Sequence, residues 1–291
     1  MVEVTSLIRA TFLGLQIGMT LILITAGLTL IFGMMDVINI AHGSLYMLGA
    51  YFGLVLVQST GQLWLAILIA PLLVAVVGLA MEVVTLRPLY GRNPLDAILL
   101  TFGLLILFEE AVRILWGAQV RLIEAPPIFD GSVDLGIIAY PSYRAFLLAI
   151  STVVVLAIWL VLTRTNLGIL MRASAHDAEM IDALGINVSK VFTAVFVVGA
   201  GLAGLAGVLV GAQQGFEPTT GVQVIIEAFA IVVIGGLGSF RGAVAGALMV
   251  GLMQAYVAII YPTLTELSVF VLMTIVLIIR PTGLFSETTV A

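Results

Sequence analysis

Five stretches of the chain carry no Asp, Glu, Lys or Arg: residues 10–35, 37–81, 145–163, 191–216 and 242–265. The hydrocarbon core of a bilayer is crossed by about 20 apolar residues in helical form. Four of the runs fit one crossing each, while the 45 residues of 37–81 must hold two crossings or a broken one. Helices are predicted near 11–33, 43–57, 62–84, 95–116, 144–163, 191–213, 224–237, 242–260 and 264–280. Together they describe an all-α polytopic membrane protein of about eight to nine transmembrane helices, with residues 1–291 as one transmembrane domain. Strand barrels would need short alternating segments, which these runs are not. The segment 224–237, running into "GGLGS", is short enough to be a half-helix.

Composition agrees with this pattern. The chain is 62% hydrophobic and 9% charged, with a mean hydropathy of +1.26. Soluble domains carry roughly 25% charged residues, so this sequence cannot cover a water-facing surface. The net charge of −5 decides little, because membrane orientation follows Lys and Arg placement. Arg87 and Arg92 fall in one loop, and Arg164, Arg172 and Lys190 in another, which puts both in the cytoplasm. Residues 117–143 are then external, and Arg241 and Arg280 come out internal. Three crossings before Arg87 would put the N-terminus outside; a break inside one helix at 34–42 would put it inside. The first apolar run is too long for a signal-peptide core and reads as a retained helix. With no cysteine there are no disulfides or thiolate metal sites, and neither a metal nor a nucleic-acid partner is expected.

The most polar stretch is "RASAHDAEMIDALGINVSK", 172–190, within the loop 164–190. Ser174 and Asp177 have the spacing of a capping box, and Gly185 suits the left-handed residue that ends a helix. A helix over 174–185 follows, with Ala178, Ile181 and Leu184 on one face. Alone it is marginal in water. Membrane-surface anchors carry Lys or Arg on the polar side, whereas this one carries Asp177, Glu179 and Asp182, which favours a cytoplasmic protein partner.

Three further constellations stand out. "DVINIAHG", 36–43, sets Asn39 and His42 where two apolar runs meet. Such breaks form substrate sites in transporters, the alternative being a loop at the membrane surface. His176 is the only other histidine and sits on the proposed cytoplasmic helix, so a metal site is not indicated. Glu109, Glu110 and Arg113 lie late in the fourth helix, with Glu109 to Arg113 in the favourable i,i+4 order. Intramembrane charges are pathway candidates; here a structural pair near the external interface competes with a proton-coupling role for the spare carboxylate. Gly199, Ala203, Gly207 and Gly211 recur every four residues, a stripe that lets helices approach closely, within the chain or across a dimer. Glu82 and Glu227 read as interfacial residues near helix ends.

Read in order, "GLTLIFGMMDVINIAHGSLYMLGAYFG" (27–53), "RPLYGRNPLDAILLTFGL" (87–104), "RASAHDAEMIDALGINVSKVFTAVFVVGAGLAGLAGVL" (172–209) and "RPTGLF" (280–285) resemble the permease subunits of bacterial ABC importers, most of all those for branched-chain amino acids. The resemblance implies a type II-like permease whose 174–185 helix seats in a groove of a separate ATPase. Ala175, Asp177, Ala183, Leu184 and Gly185 match the pattern of that coupling helix; His176 occupies a variable place. It also implies a second, related permease chain, two ATPase subunits holding ATP and magnesium, a substrate-binding protein, and the cytoplasmic membrane of a prokaryote. The residues agree on one point: a phosphate loop needs G-x-x-x-x-G-K-[ST], and the single lysine, Lys190, follows "INVS". The chain therefore reads as no enzyme and has no catalytic residues. The rival is an ion-coupled secondary transporter using Glu109, Glu110 and Arg113. Such folds show inverted repeats and matched broken helices, whereas the sequence displays one break and no repeat.

Overall fold

A computed structural model describes residues 4–285 except 135 and 137. Eleven α-helices are present among the described residues: α1 Val4–Met35, α2 His42–Thr60, α3 Leu63–Met81, α4 Pro94–Trp116, α5 Ser142–Arg164, α6 Asn166–His176, α7 Ala178–Ala183, α8 Val188–Gly211, α9 Thr220–Gly235, α10 Phe240–Ile260 and α11 Thr265–Ile279. Six are long and apolar enough to cross a membrane, over Thr5–Met35, Leu63–Leu89, Ser142–Arg164, Val188–Gly211, Phe240–Ile260 and Pro262–Ile279. The expected count of eight to nine thus narrows to six by that measure. α4 carries Asp96, Glu109, Glu110 and Arg113, α9 has only 16 residues, and α2 starts deep inside the bundle.

Small residues set how the helices meet. α1 runs antiparallel along α10, with Gly14 on Leu252 and Gly18 on Leu248, and Gly33 reaches Gly238 in the turn before α10. α8 runs antiparallel along α3, with Gly204 on Val74 and Ala200 on Gly78. α1 and α8 cross at Gly27 and Gly199, where a Cβ on Gly27 would come 2.6 Å from the Gly199 carbonyl oxygen. The starts of α2 and α9 cross at Gly43 and Gly221, again with no room for a Cβ. The arrangement of α1–α4 is therefore repeated, in the opposite sense, by α8–α11. This inverted repeat was not expected from the sequence, because a backbone-to-backbone contact asks only for small residues and leaves no motif.

The loop 117–143, expected to be external, is not purely irregular. A hairpin pairs β1 Ser132–Asp134 with β2 Ala139–Pro141, Val133 opposite Tyr140, the one strand pair among the described residues of a helical fold. It packs on α1 and on the start of α5. The Tyr140 hydroxyl donates to the Phe12 carbonyl at 3.2 Å, and the Tyr143 hydroxyl donates to the Leu209 carbonyl at 2.7 Å. The Ile123 amide donates to the Gly211 carbonyl at 3.0 Å. The last two bonds satisfy carbonyls that the end of α8 would otherwise leave unpaired.

Candidate translocation and coupling sites

The break after α1 is a re-entrant segment. Asp36 closes α1 in the left-handed conformation (φ 51°), its amide donating to the Phe32 carbonyl at 2.9 Å; Asp tolerates this region better than most residues. Asp36 is exposed, but Asn39 and His42 are fully buried, so the chain passes from an exposed turn into the bundle. The buried Thr101 hydroxyl of α4 holds it, accepting from the Ile40 amide at 3.2 Å. The break is therefore not a surface loop. A ring nitrogen of His42, Nε2, lies 3.2 Å from the Ile24 carbonyl, while Nδ1 and both polar atoms of the Asn39 amide meet no hydrogen-bond partner among the described residues. His42 opens α2 beside the crossing of Gly43 and Gly221.

Glu109, Glu110 and Arg113 come together near the C-terminal end of α4. Arg113 contacts Glu109 at 2.8 Å and Glu110 at 3.2 Å. Both carboxylates share the one guanidinium, which leaves one negative charge unbalanced as expected, and the cluster is largely open. Gly199, Ala203, Gly207 and Gly211 are all buried along α8. Gly199 meets Ile31 of α1, Gly207 meets Tyr46 of α2, and Gly211 meets Ile123 and Phe216. The stripe packs inside the chain and leaves nothing for a dimer contact.

The polar loop differs from its expected form. Instead of one helix over 174–185, α6 runs through His176, capped by Thr165, whose hydroxyl accepts from the Gly168 amide. Ser174 is buried in that helix, so it cannot cap the next one. Asp177 does, its carboxylate accepting from the Met180 amide at 2.8 Å at the start of α7. The signal that was missed is "TNLG" (165–168), a cap that starts a helix earlier. Gly185 takes the left-handed turn (φ 84°), after which the Ile186 amide donates back to Ile181. Ala178 and Ile181 are half-buried. Ala175, Asp177 and Ala183 are exposed, and the apolar tip is formed by Met180 and Leu184, 61% and 70% exposed. The predicted face of Ala178, Ile181 and Leu184 is thus rotated, with Met180 replacing its inner members.

Two acids read as interfacial lie elsewhere. Glu82 is 0% exposed. Residues 82–86 form a π-helical turn, whose wider pitch brings positions i and i+5 together. Arg87 accordingly donates through Nε and Nη2 to the two Glu82 oxygens, each at 3.2 Å. The Tyr90 hydroxyl donates to Glu82 Oε1 at 2.7 Å, and Arg87 also reaches the Thr193 hydroxyl of α8. Burial first, and then the hydrogen bond to Glu82, holds the Tyr90 phenol above its ordinary range, so it remains a donor. This network ties the C-terminal end of α3 to α8 just beyond the polar loop. Glu227 stands in the middle of α9 rather than at an end, with Gln254 Nε2 of α10 donating to its Oε1 at 2.5 Å.

The sequence as a whole matches known transport proteins. The profile of the family described as "Branched-chain amino acid transport system / permease component" matches residues 10–279. The chain belongs to that family. This permease component is 32% identical to the high-affinity branched-chain amino acid transport system permease protein BraD of Pseudomonas aeruginosa, over 94% of each chain. It is 29% identical to LivH of Escherichia coli K12, a permease protein of the same description, over 96% of each. LivM of the same organism, also so described, is 28% identical over 93% of this chain and 68% of its own length. These relatives are transport permease components, and the permease is a helical, multi-pass membrane protein like the family it belongs to.

Proposed function

We propose that this permease is the membrane subunit of an ATP-driven ABC importer for branched-chain or similar small amino acids, in the cytoplasmic membrane of a prokaryote. The similarity to BraD and LivH along nearly the whole chain is what carries the reading. It pairs with a second permease chain, a heterodimer being favoured by the chain's similarity to both LivH and LivM. Two ATPase subunits supply ATP and magnesium sites that this sequence lacks, and a binding protein delivers the amino acid. The tip of Met180 and Leu184, with Ala175, Asp177, Ala183 and Gly185 around it, is the contact with the ATPase.

Asn39 and His42 line the route when the bundle opens. A buried amide without a partner is costly and rare, so a state in which water or substrate meets Asn39 would relieve it. The ion-coupled alternative has less support: the relatives are described as high-affinity branched-chain amino acid transport system permease proteins, and the Glu109, Glu110 and Arg113 cluster is open rather than enclosed in the bundle.

The test is reconstitution. The chain alone in liposomes should bind no ATP and take up no leucine; the full assembly should take up leucine with ATP. Uptake by the single chain under an ion gradient would overturn the reading. In this cysteine-free background, Asn39→Cys and His42→Cys should react with water-soluble thiol reagents at rates that change with the nucleotide state. Inertness in every state would make the break a packed turn.

A further inference from the structure

Glu227 is an intramembrane carboxylate outside both the break and the polar loop. α9 is only 16 residues long, about 24 Å, and Glu227 lies roughly 10 Å below its first residue. Both ends of α9 are fixed. Its start crosses α2 at Gly43, and its last carbonyls, on Ile234 and Gly235, accept from the Leu284 and Phe285 amides. Glu227 is therefore held within the bundle, about 10 Å along α9 from its crossing with α2.

Its surroundings are incomplete for an ion. The partner it has is the neutral Gln254 amide, and among the described residues no Lys or Arg nitrogen lies within 4 Å. The other ionisable groups within its field are Tyr46 of α2 and Glu266 of α11, neither of which supplies a positive charge. Carboxylates inside membranes pair with a cation or face water. Gln223, one turn above on the same side of α9, is exposed, and so is Ile226. This side is left uncovered by the chain's own helices. Elsewhere on the bundle an apolar surface is formed by residues such as Leu72 and Val76 of α3, Leu99 and Ile106 of α4, and Val153 and Leu160 of α5. That surface suits lipid; Gln223, Glu227 and Gln254 do not.

We propose that Glu227 and Gln254 form a transit site for the ammonium group of the amino acid. This deepens the importer reading and rests on it. The chemistry follows from the hydrogen bond already made. Gln254 uses an N–H on Glu227 Oε1, which leaves its own carbonyl oxygen and the second carboxylate oxygen as acceptors. An ammonium carries three donors and one positive charge, so it supplies what this pair lacks. A site of one carboxylate and one amide is modest, as passage requires: binding must be favourable enough to enter and weak enough to leave.

The test uses the complete importer, with both permeases, the ATPases and the binding protein, in proteoliposomes. The KM for leucine is expected to follow capture by the binding protein. Glu227→Gln should therefore leave KM unchanged and lower the maximal uptake rate at least tenfold, with more ATP hydrolysed per leucine imported. Glu227→Asp should restore a large part of the rate. The complex of the Glu227→Gln variant should be recovered in wild-type amount, because the introduced amide oxygen can still accept from Gln254. Wild-type uptake by Glu227→Gln would overturn the proposal. So would loss of the second permease on purification, which would mean that Glu227 pairs with a cation of that chain. A parallel fall in ATP hydrolysis and uptake, with the ATP-to-leucine ratio unchanged, would also overturn it and mark a structural role. If the wild-type assembly itself imports no leucine, the importer reading fails instead.

Discussion

The two halves of the permease, α1–α4 and α8–α11, follow the same path in opposite directions and carry different chemistry. Each sends a long helix across, turns back, and starts a helix beside the other half's equivalent, at Gly43 in one case and Gly221 in the other. In the first half the polar groups lie in the break itself, where Asn39 and His42 are sealed from solvent. In the second they lie on the helix, where Gln223 is exposed and Glu227 half-buried. Both halves expose apolar side chains, such as Leu99 and Ile106 of α4 and Ile275 and Ile278 of α11, so the difference lies in where the few polar groups sit. Scaffold and chemistry are thus encoded separately: small residues repeat the scaffold, and a few single positions make the halves unequal.

The crossing is where this comparison breaks most sharply. Gly43→Leu and Gly221→Leu each force a side chain into backbone, and each should cost about 3 kcal/mol or more. Thermal melting of the detergent-solubilised complex should fall alike for both; a large effect from one alone would mean that the halves are not mechanically equivalent. Gly103→Leu on α4, where no atom lies within 4 Å, should change stability by less than about 0.5 kcal/mol. The polar loop belongs to neither half. Leu184→Glu at its exposed tip should weaken ATPase co-purification by about 2–3 kcal/mol, roughly 30- to 150-fold, without lowering membrane abundance. Glu179→Ala, one residue before Met180, should leave it within about 0.5 kcal/mol; equal effects would remove the tip from the contact.

A smaller effect is expected where the first half has a lock that the second lacks. Breaking a buried ion pair costs about 3–5 kcal/mol, but the Arg87 side chain is 38% exposed, so Glu82→Gln should lower stability by about 2 kcal/mol, read as a fall in melting temperature. The smallest effect belongs to the C-terminal end of α4. Arg113→Gln breaks two open ion pairs, worth under about 1 kcal/mol, and leucine uptake should stay within about twofold of wild type. A tenfold loss would return the Glu109, Glu110 and Arg113 cluster to the translocation route.

Whatever follows from single-residue hydropathy was legible. The apolar runs predicted the helices, Asp36 with Asn39 and His42 marked the break, and the shortness of 224–237 marked α9. What depends on two distant residues was not. The inverted repeat rests on contacts such as Gly27 against Gly199, which any small residue would permit. The Glu82 and Arg87 pair spans i,i+5 and needs a π-turn that no spacing rule anticipates. The polar loop was half legible: Gly185 ends its helix as read, but Thr165 starts α6 early and moves the second cap from Ser174 to Asp177. Glu227 was placed near a helix end because the predicted helix began at 224, yet α9 already begins at Thr220.

The bonds from Leu284 and Phe285 to the last carbonyls of α9 set an order of assembly. A ribosome delivers α9 well before the residues that complete its C-terminal end, and α10 and α11 must both enter the membrane first. Until then the helix bearing Glu227 has carbonyls that only water or the insertion machinery can satisfy. A defect confined to α11, or to the residues just after it, would thus first be felt as an unfinished α9 in the newly made protein.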